Sequence, residues 1–359
     1  MKGMIGILTL HYGLNYGGVL QAYALQKTLQ LSGYDCKIID RIPSSFGNYK
    51  YLIKRMFIHP FTHPGFAYFR RHYLHYKTYP VFTSNQMQKL SRKFKTIIVG
   101  SDQVWRKGIF SVDGNYFLNF LSEANRTKGI SYAASFGVDN WEYDIKETEE
   151  IKRCLAGFKA ISVREESGVS LIREKCNLNS ICVLDPTLLA DSKIYDPLLR
   201  KSNLITGGKL VSYILDWNDY KKNVTKELTS KLGKEVFHIL PHQRNRKGYL
   251  HGFIDQEPFV YDWLKAIKDS DFVITDSYHG TIFSIIFNKQ FLVIGNRERG
   301  LTRFVSLLKK FNLTERILNE TEPLRTEKLL EKNIRYDLVN RILSEERNNS
   351  MVFLRSNLE

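Results

Sequence analysis

Acidic residues are missing from a long stretch of this chain: from Arg41 to Ser101 there is no Asp or Glu. That gap holds 11 of the cations and so supplies much of the formal net charge of +16. Cysteine is also scarce. The four, Cys36, Cys154, Cys176 and Cys182, form no CxxC pair and no metal-like spacing with histidine, which excludes a disulfide framework and a zinc site and suits free thiols in a reducing cytoplasm. No apolar run approaches the roughly 18 residues of a membrane-spanning helix. The run within Met1–Leu10 lacks the long apolar core and small-residue cleavage site of a secretory signal and reads as a first buried strand. Neither GxGxxG nor GxxxxGK[ST] occurs, which disfavours a nicotinamide cofactor and a phosphate-binding loop of the nucleotide-triphosphatase type.

What the chain does have is alternation. Met4–Leu10, Cys36–Ile39, Thr96–Gly100, Gly129–Ala134, Ala160–Val163 and Ile181–Leu184 are apolar runs of strand length. Stretches with helical spacing lie between several of them: Val19–Leu31, 144–157 and Glu166–Lys175. A second series follows the low-order region 191–208. It has strands at Leu210–Leu215, Val236–Leu240, Phe272–Thr275 and Phe291–Ile294, and helices at Val260–Lys268, His279–Phe287 and Leu301–Phe311. Strand–helix–strand units of this length imply parallel strands. The expected class is α/β: two Rossmann-like domains, 1–195 and 205–320, with mainly parallel sheets facing a central cleft. A charged helical tail, 321–359, is expected to pack back on the first domain.

Five segments combine polar chemistry with the carboxyl end of a strand, where ligands of open α/β sheets bind. In His11–Gly18, Asn15, Tyr16 and Gly17 precede a helix whose amides suit an anion; the same glycines equally serve a tight turn. In Gly100–Trp105, Ser101 and Asp102 follow a strand. Asp102 suits a base or a sugar-hydroxyl partner and Trp105 a sugar face, although an N-cap and a core tryptophan fit the same residues. Arg164 stands where a planar fork can take a carboxylate or phosphate, or join an ion pair elsewhere. In Asp271–Phe283, Thr275, Asp276, Ser277 and Tyr278 lead into His279–Gly280 at the start of an apolar helix. That places an imidazole between a helix dipole and a neighbouring carboxylate, a setting for acid–base work. Arg297, Arg299 and Arg303 follow the next strand and fall beside His279 if the two strands are neighbours, which suggests an anionic substrate.

Taken in order, Gly6–Leu25, Gly100–Trp105, Ser162–Ser167, Asp185–Thr187 and Thr275–Gly280 resemble the blocks of the polysaccharide pyruvyl transferase family, over roughly residues 4 to 312. The resemblance implies two domains like those of a GT-B glycosyltransferase. It implies transfer of the enolpyruvyl moiety of phosphoenolpyruvate to a sugar, usually as a cyclic ketal, in exopolysaccharide or capsule synthesis. His279 matches the family's catalytic histidine and Arg164 its substrate-binding arginine. Where some members carry a lysine, this chain has arginines, so Arg299 or Arg303 stands in. Asp102 and Asp276 are then candidates to activate a hydroxyl or orient His279. Arg297, Arg303, Asn15, Tyr16, Gly17, Ser101, Trp105, Ser277, Tyr278 and Gly280 are candidates to bind substrate. No metal or cofactor is expected beyond phosphoenolpyruvate as donor.

The cations of the acid-free stretch interleave with Tyr49, Tyr51, Phe57, Phe61, Phe66, Tyr68, Phe69, Tyr73 and Tyr76. This composition suits an anionic membrane surface or a lipid-pyrophosphate-linked sugar at the inner membrane face. It equally suits a solvated basic face over packed aromatics. Nucleic acid is not expected, because no recognisable module accompanies the patch. Two rival functions share these features. One is a nucleotide-sugar glycosyltransferase of the same architecture, and the other a non-catalytic protein binding membrane or glycan.

Overall fold

The structure is a computed structural model describing residues 3–42, 57–74, 76–107, 114–126, 128–240, 258–295, 300–320 and 330–358. The chain divides into two compact units: Met1–Ile58, Arg70–Ala190 and Ser344–Glu359 form the first, His59–Phe69 and Asp191–Leu343 the second. Two excursions depart from a simple halving. His59–Phe69 belongs to the second unit, where Tyr68 meets the rings of Phe259 and Tyr261 edge-on. The final segment belongs to the first unit, where Ser350 Oγ accepts from Leu184 N and Arg347 Nε donates to Leu188 O.

The first unit is built on β1 (Ile5–Leu8), β2 (Cys36–Ile38), β3 (Thr96–Val99) and β4 (Gly129–Ser131), all parallel, in the order β2-β1-β3-β4. Bridges Ile130↔Ala160 and Ala134↔Val163 carry the pairing on to β5 (Ser162–Val163), which pairs with β6 (Ile181–Cys182). Every residue of β1 and β3 is buried. That is why they read as unbroken apolar runs: helices cover both faces of such a sheet, so no polar alternation survives. The helix Tyr16–Leu31 begins three residues earlier than its apolar spacing indicated. Asn15, with extended backbone, caps it by accepting from Gly17 N at 2.9 Å and Gly18 N at 3.3 Å, so glycines that read as loop form the first turn.

The second unit contains β7 (Leu210–Tyr213), β8 (Val236–His238), β9 (Phe272–Thr275), β10 (Gln290–Gly295) and β11 (Ile317–Asn319), parallel throughout, in the order β11-β10-β9-β7-β8. In both sheets the chain leaves the first strand to one side and returns on the other. The topological switch points therefore lie between β1 and β3 and between β7 and β9. The C-terminal helix runs Tyr336–Leu358, later than the charged pattern at 322–345 indicated, and 321–329 lie outside the described residues. Among the described residues no helix is long and apolar enough to cross a membrane.

Candidate active site

At the switch point of the second unit, β9 hands over to the helix Tyr278–Ile286, all nine residues of which are buried. Ser277 caps this helix. Its Oγ accepts from Gly280 N at 3.3 Å, and its own N–H donates to Thr275 Oγ1 at 3.0 Å. Gly280 is a packing requirement rather than a ligand contact, since a Cβ there would stand 2.4 Å from Thr275 Oγ1. His279 occupies the first turn and is 6% exposed. Its ring meets Tyr278 edge-on, centroids 5.4 Å apart at 89°. The guanidinium of Arg303 lies over the same tyrosine, 5.5 Å from the ring centroid, a cation–π arrangement. Because β9 and β10 are neighbours, the segment after β10 does return to the His279 turn. Arg303 is thus placed in a row with Tyr278 and His279; Arg297 and Arg299 lie outside the described residues.

Asp276 does not take the expected role of activating a hydroxyl or orienting His279. Its Oδ1 accepts from Leu215 N at 2.7 Å, and its Oδ2 accepts from Asp216 N at 3.1 Å and Lys221 Nζ at 2.8 Å. The side chain is fully buried, and burial pushes its pKa up against the pull of Lys221 and the two amides. The carboxylate ties the end of β9 to the loop after β7. Lys221 was the residue missed. Its ammonium is 1% exposed and also reaches Asp216 O at 2.7 Å and Glu320 Oε1 at 3.2 Å. Its signal was in the sequence: Lys221, Val224, Thr225 and Leu228 form one buried stripe of the helix Asp219–Leu232, so a lysine occupies an apolar position.

At the switch point of the first unit, Asp102 follows β3 with a left-handed backbone, φ 71°. A Cβ built on Gly18 would stand 3.6 Å from Asp102 Oδ2, which sets the carboxylate against the first turn of the helix Tyr16–Leu31. Tyr16 and Gly17 are buried in that turn and Asn15 is engaged as its cap, so the three serve the helix start in place of the expected substrate contacts. Arg164 comes to the same spot. Its Nη1 lies 3.4 Å from Asp102 Oδ1 and 3.1 Å from Asp185 Oδ2, and its Nε lies 3.7 Å from Glu165 Oε2. The arginine side chain is 0% exposed, and its contacts to Asp102 and Asp185 are both made through Nη1. Ser101 is buried too, donating to Ala133 O at 3.0 Å and Asp185 Oδ2 at 3.4 Å. Nearby, His11 Nδ1 and Nε2 lie 3.1 Å from Thr9 O and 3.2 Å from Asp40 Oδ1.

Two further expectations change. Trp105 is 0% exposed, stacked on Phe117 at 5.6 Å with Nε1 donating to Tyr116 O at 3.0 Å. A ring enclosed in this way has no face for a sugar; it is a core residue. The basic aromatic stretch is not one surface either. Arg41 and Arg70 are buried, donating to Asn115 Oδ1 and Tyr12 O, and Phe66 and Phe69 are core, whereas Phe57, Phe61 and Tyr76 are exposed. Residues 43–56 lie outside the described set.

Two parallel-sheet units, each with polar residues gathered at its switch point, define an α/β protein of the two-Rossmann GT-B class. Solved structures agree on the fold. The UDP-N-acetylglucosamine 2-epimerase of Rickettsia bellii is similar with a TM-score of 0.51 at 12% identity, over 98% of this chain and 96% of that one. The UDP-GlcNAc 2-epimerase of Methanocaldococcus jannaschii, solved with UDP-GlcNAc and UDP, gives 0.51 at 14%, over 96% and 99%. No curated sequence matches the chain significantly. The sequence profile of the polysaccharide pyruvyl transferase family matches residues 15–298, and the chain belongs to that family.

Proposed function

We propose that this protein transfers the enolpyruvyl group of phosphoenolpyruvate to a hydroxyl pair of a sugar, forming a cyclic pyruvate ketal during assembly of a cell-surface polysaccharide. One observation supports the reading beyond family membership: a histidine and an arginine both pack against the Tyr278 ring just after β9. Ketal formation needs a proton at C3 of the enol phosphate, which leaves a cationic centre at C2. His279 supplies that proton. Arg303 balances the phosphate and carboxylate charges of the donor, with Arg297 and Arg299 from the same segment. A sugar hydroxyl adds to C2 and the C2–O bond to phosphorus breaks, the electron pair leaving with the phosphate. A second hydroxyl then closes the ring. Of the two hydroxyl protons, one replaces the proton given to C3 and the other leaves on the phosphate.

In the first unit, Asp102, 16% exposed at its side chain, is the carboxylate suited to accept a hydroxyl proton. The acceptor we propose is a lipid-pyrophosphate-linked saccharide at an anionic membrane face. The acid-free stretch and the exposed Phe57 and Phe61 support this, at 64% and 71% exposure. The test incubates the protein with phosphoenolpyruvate and candidate lipid-linked sugars, reading released phosphate and product mass. Salt-sensitive flotation with anionic vesicles is the expected companion result; no binding at low salt refutes the membrane part. Consumption of a nucleotide sugar without phosphate release from phosphoenolpyruvate refutes the whole.

A further inference from the structure

We propose that Tyr278 is a positioning residue: its ring holds the Arg303 guanidinium and the His279 imidazole in one arrangement, so that the cation and the proton donor act on the same substrate molecule. The inference rests on the reading above for its reaction and on ring geometry for its content. Three groups surround the Tyr278 ring. The central carbon of the Arg303 guanidinium lies over it, 5.5 Å from the centroid. The His279 ring stands perpendicular to it, at 5.4 Å and 89°, and the Phe304 ring nearly so, at 6.0 Å and 77°. Tyr278, His279 and Arg303 are each 6% exposed and Phe304 1%, so little water screens these contacts.

The fold brings these groups together from two strand–helix junctions. Tyr278 and His279 fill the first turn of the helix after β9, which Ser277 caps. Arg303 lies in the first turn of the helix Leu301–Lys310, which follows β10, the neighbour of β9. An arginine side chain is long and loses much rotamer freedom when it is ordered. A carboxylate that orders it also cancels its charge and takes up N–H donors. A ring face orders it and leaves the charge in place, and the donors around the edge of the guanidinium keep the geometry that suits a phosphate or carboxylate. The perpendicular contact acts in the same way on His279: it restricts rotation of the imidazole through packing, without a hydrogen bond to a ring nitrogen. The role therefore belongs to the ring of Tyr278.

The test compares wild type, Tyr278→Phe, the same phenylalanine with a trifluorinated ring, and Tyr278→Leu, each with and without Arg303→Met. The fluorines keep the shape of the ring and draw electron density from its face, so this variant keeps the packing that leucine gives up. The first readout is urea unfolding, which needs no substrate. The cost of Arg303→Met should be nearly the same in Tyr278→Phe as in wild type, smaller with the fluorinated ring and smallest in Tyr278→Leu. Equal costs in every background overturn the inference. The second readout is calorimetric affinity for phosphoenolpyruvate. Tyr278→Phe should stay within about twofold of wild type, and Tyr278→Leu should bind about tenfold more weakly, the scale of one desolvated cation–π contact. With Arg303 already replaced by methionine, Tyr278→Leu should weaken binding little further. A Tyr278→Phe protein that binds as poorly as Tyr278→Leu moves the role to the hydroxyl and overturns the inference. At saturating donor, Tyr278→Leu should also lower kcat by about tenfold or more, with Tyr278→Phe restoring it; an unchanged kcat in Tyr278→Leu overturns the part concerning His279. Absence of binding by wild type refutes the proposed function, and the unfolding cycle still decides the role of Tyr278.

Discussion

Replacing Lys221 by methionine keeps most of the length of the side chain and removes its charge. The ammonium is 1% exposed and bonded to Asp276 and Asp216 O, with Glu320 alongside. Its loss leaves the fully buried Asp276 carboxylate, among the described residues, with the N–H groups of Leu215 and Asp216 as its donors. Breaking a buried pair from one side costs about 3–5 kcal/mol, because an uncompensated charge stays behind. At about 2–4 °C per kcal/mol for a domain of this size, the melting transition of the second unit should fall by roughly 6–20 °C. The pH dependence fixes the cause. Burial already holds the Asp276 pKa above its unfolded value, and without Lys221 that rise grows. A carboxyl that binds its proton more tightly when folded favours folding at low pH and loses that contribution as pH rises through its folded pKa. The penalty of Lys221→Met relative to wild type should therefore be largest at neutral pH and shrink as pH falls toward the folded pKa of Asp276. Adding Asp276→Asn should recover about half of the loss or more, since the stranded charge is gone. Urea unfolding of the four proteins at several pH values makes the measurement. A neutral-pH loss below about 1 kcal/mol, or one independent of pH, refutes the reasoning.

The remaining predictions concern single positions. Gly280→Ala forces a Cβ to within 2.4 Å of Thr275 Oγ1 and should cost about 1–3 kcal/mol in urea unfolding, with turnover falling because the His279 turn shifts. Trp105→Ala should cost about 3–5 kcal/mol and abolish a near-ultraviolet dichroism signal, while the folded fraction keeps its acceptor KM. Asn15→Ala removes the cap of the helix Tyr16–Leu31 and should cost about 1 kcal/mol, with Asn15→Asp restoring it.

Periodicity made the elements legible because it is a local property. Phe272–Thr275 is a strand with the bounds its apolar run indicated, and the glycine-bearing junction after it does open a buried helix. Side-chain partnership is not local. Arg164 meets Asp102, 62 positions away, and Asp276 meets Lys221, 55 away. Nothing in the flanking residues distinguishes an arginine aimed at solvent from one turned onto carboxylates. The same holds for Trp105, for which a sugar face and a core position fitted the flanking residues equally. Its ring turns the other way, onto Phe117 and Phe136. Arg303 lies against Tyr278, in the turn that holds His279, as expected if β9 and β10 are neighbours.

The central claim is that His279 moves the proton that starts ketal formation. The most direct measurement compares wild type with His279→Gln, shown to be folded by its melting curve, using phosphoenolpyruvate and an accepted sugar. The account predicts that wild type releases one phosphate for each product gaining the mass of pyruvic acid less water. It predicts that His279→Gln loses about a hundredfold or more of kcat, the scale of a general acid. A folded His279→Gln protein turning over at the wild-type rate would contradict it.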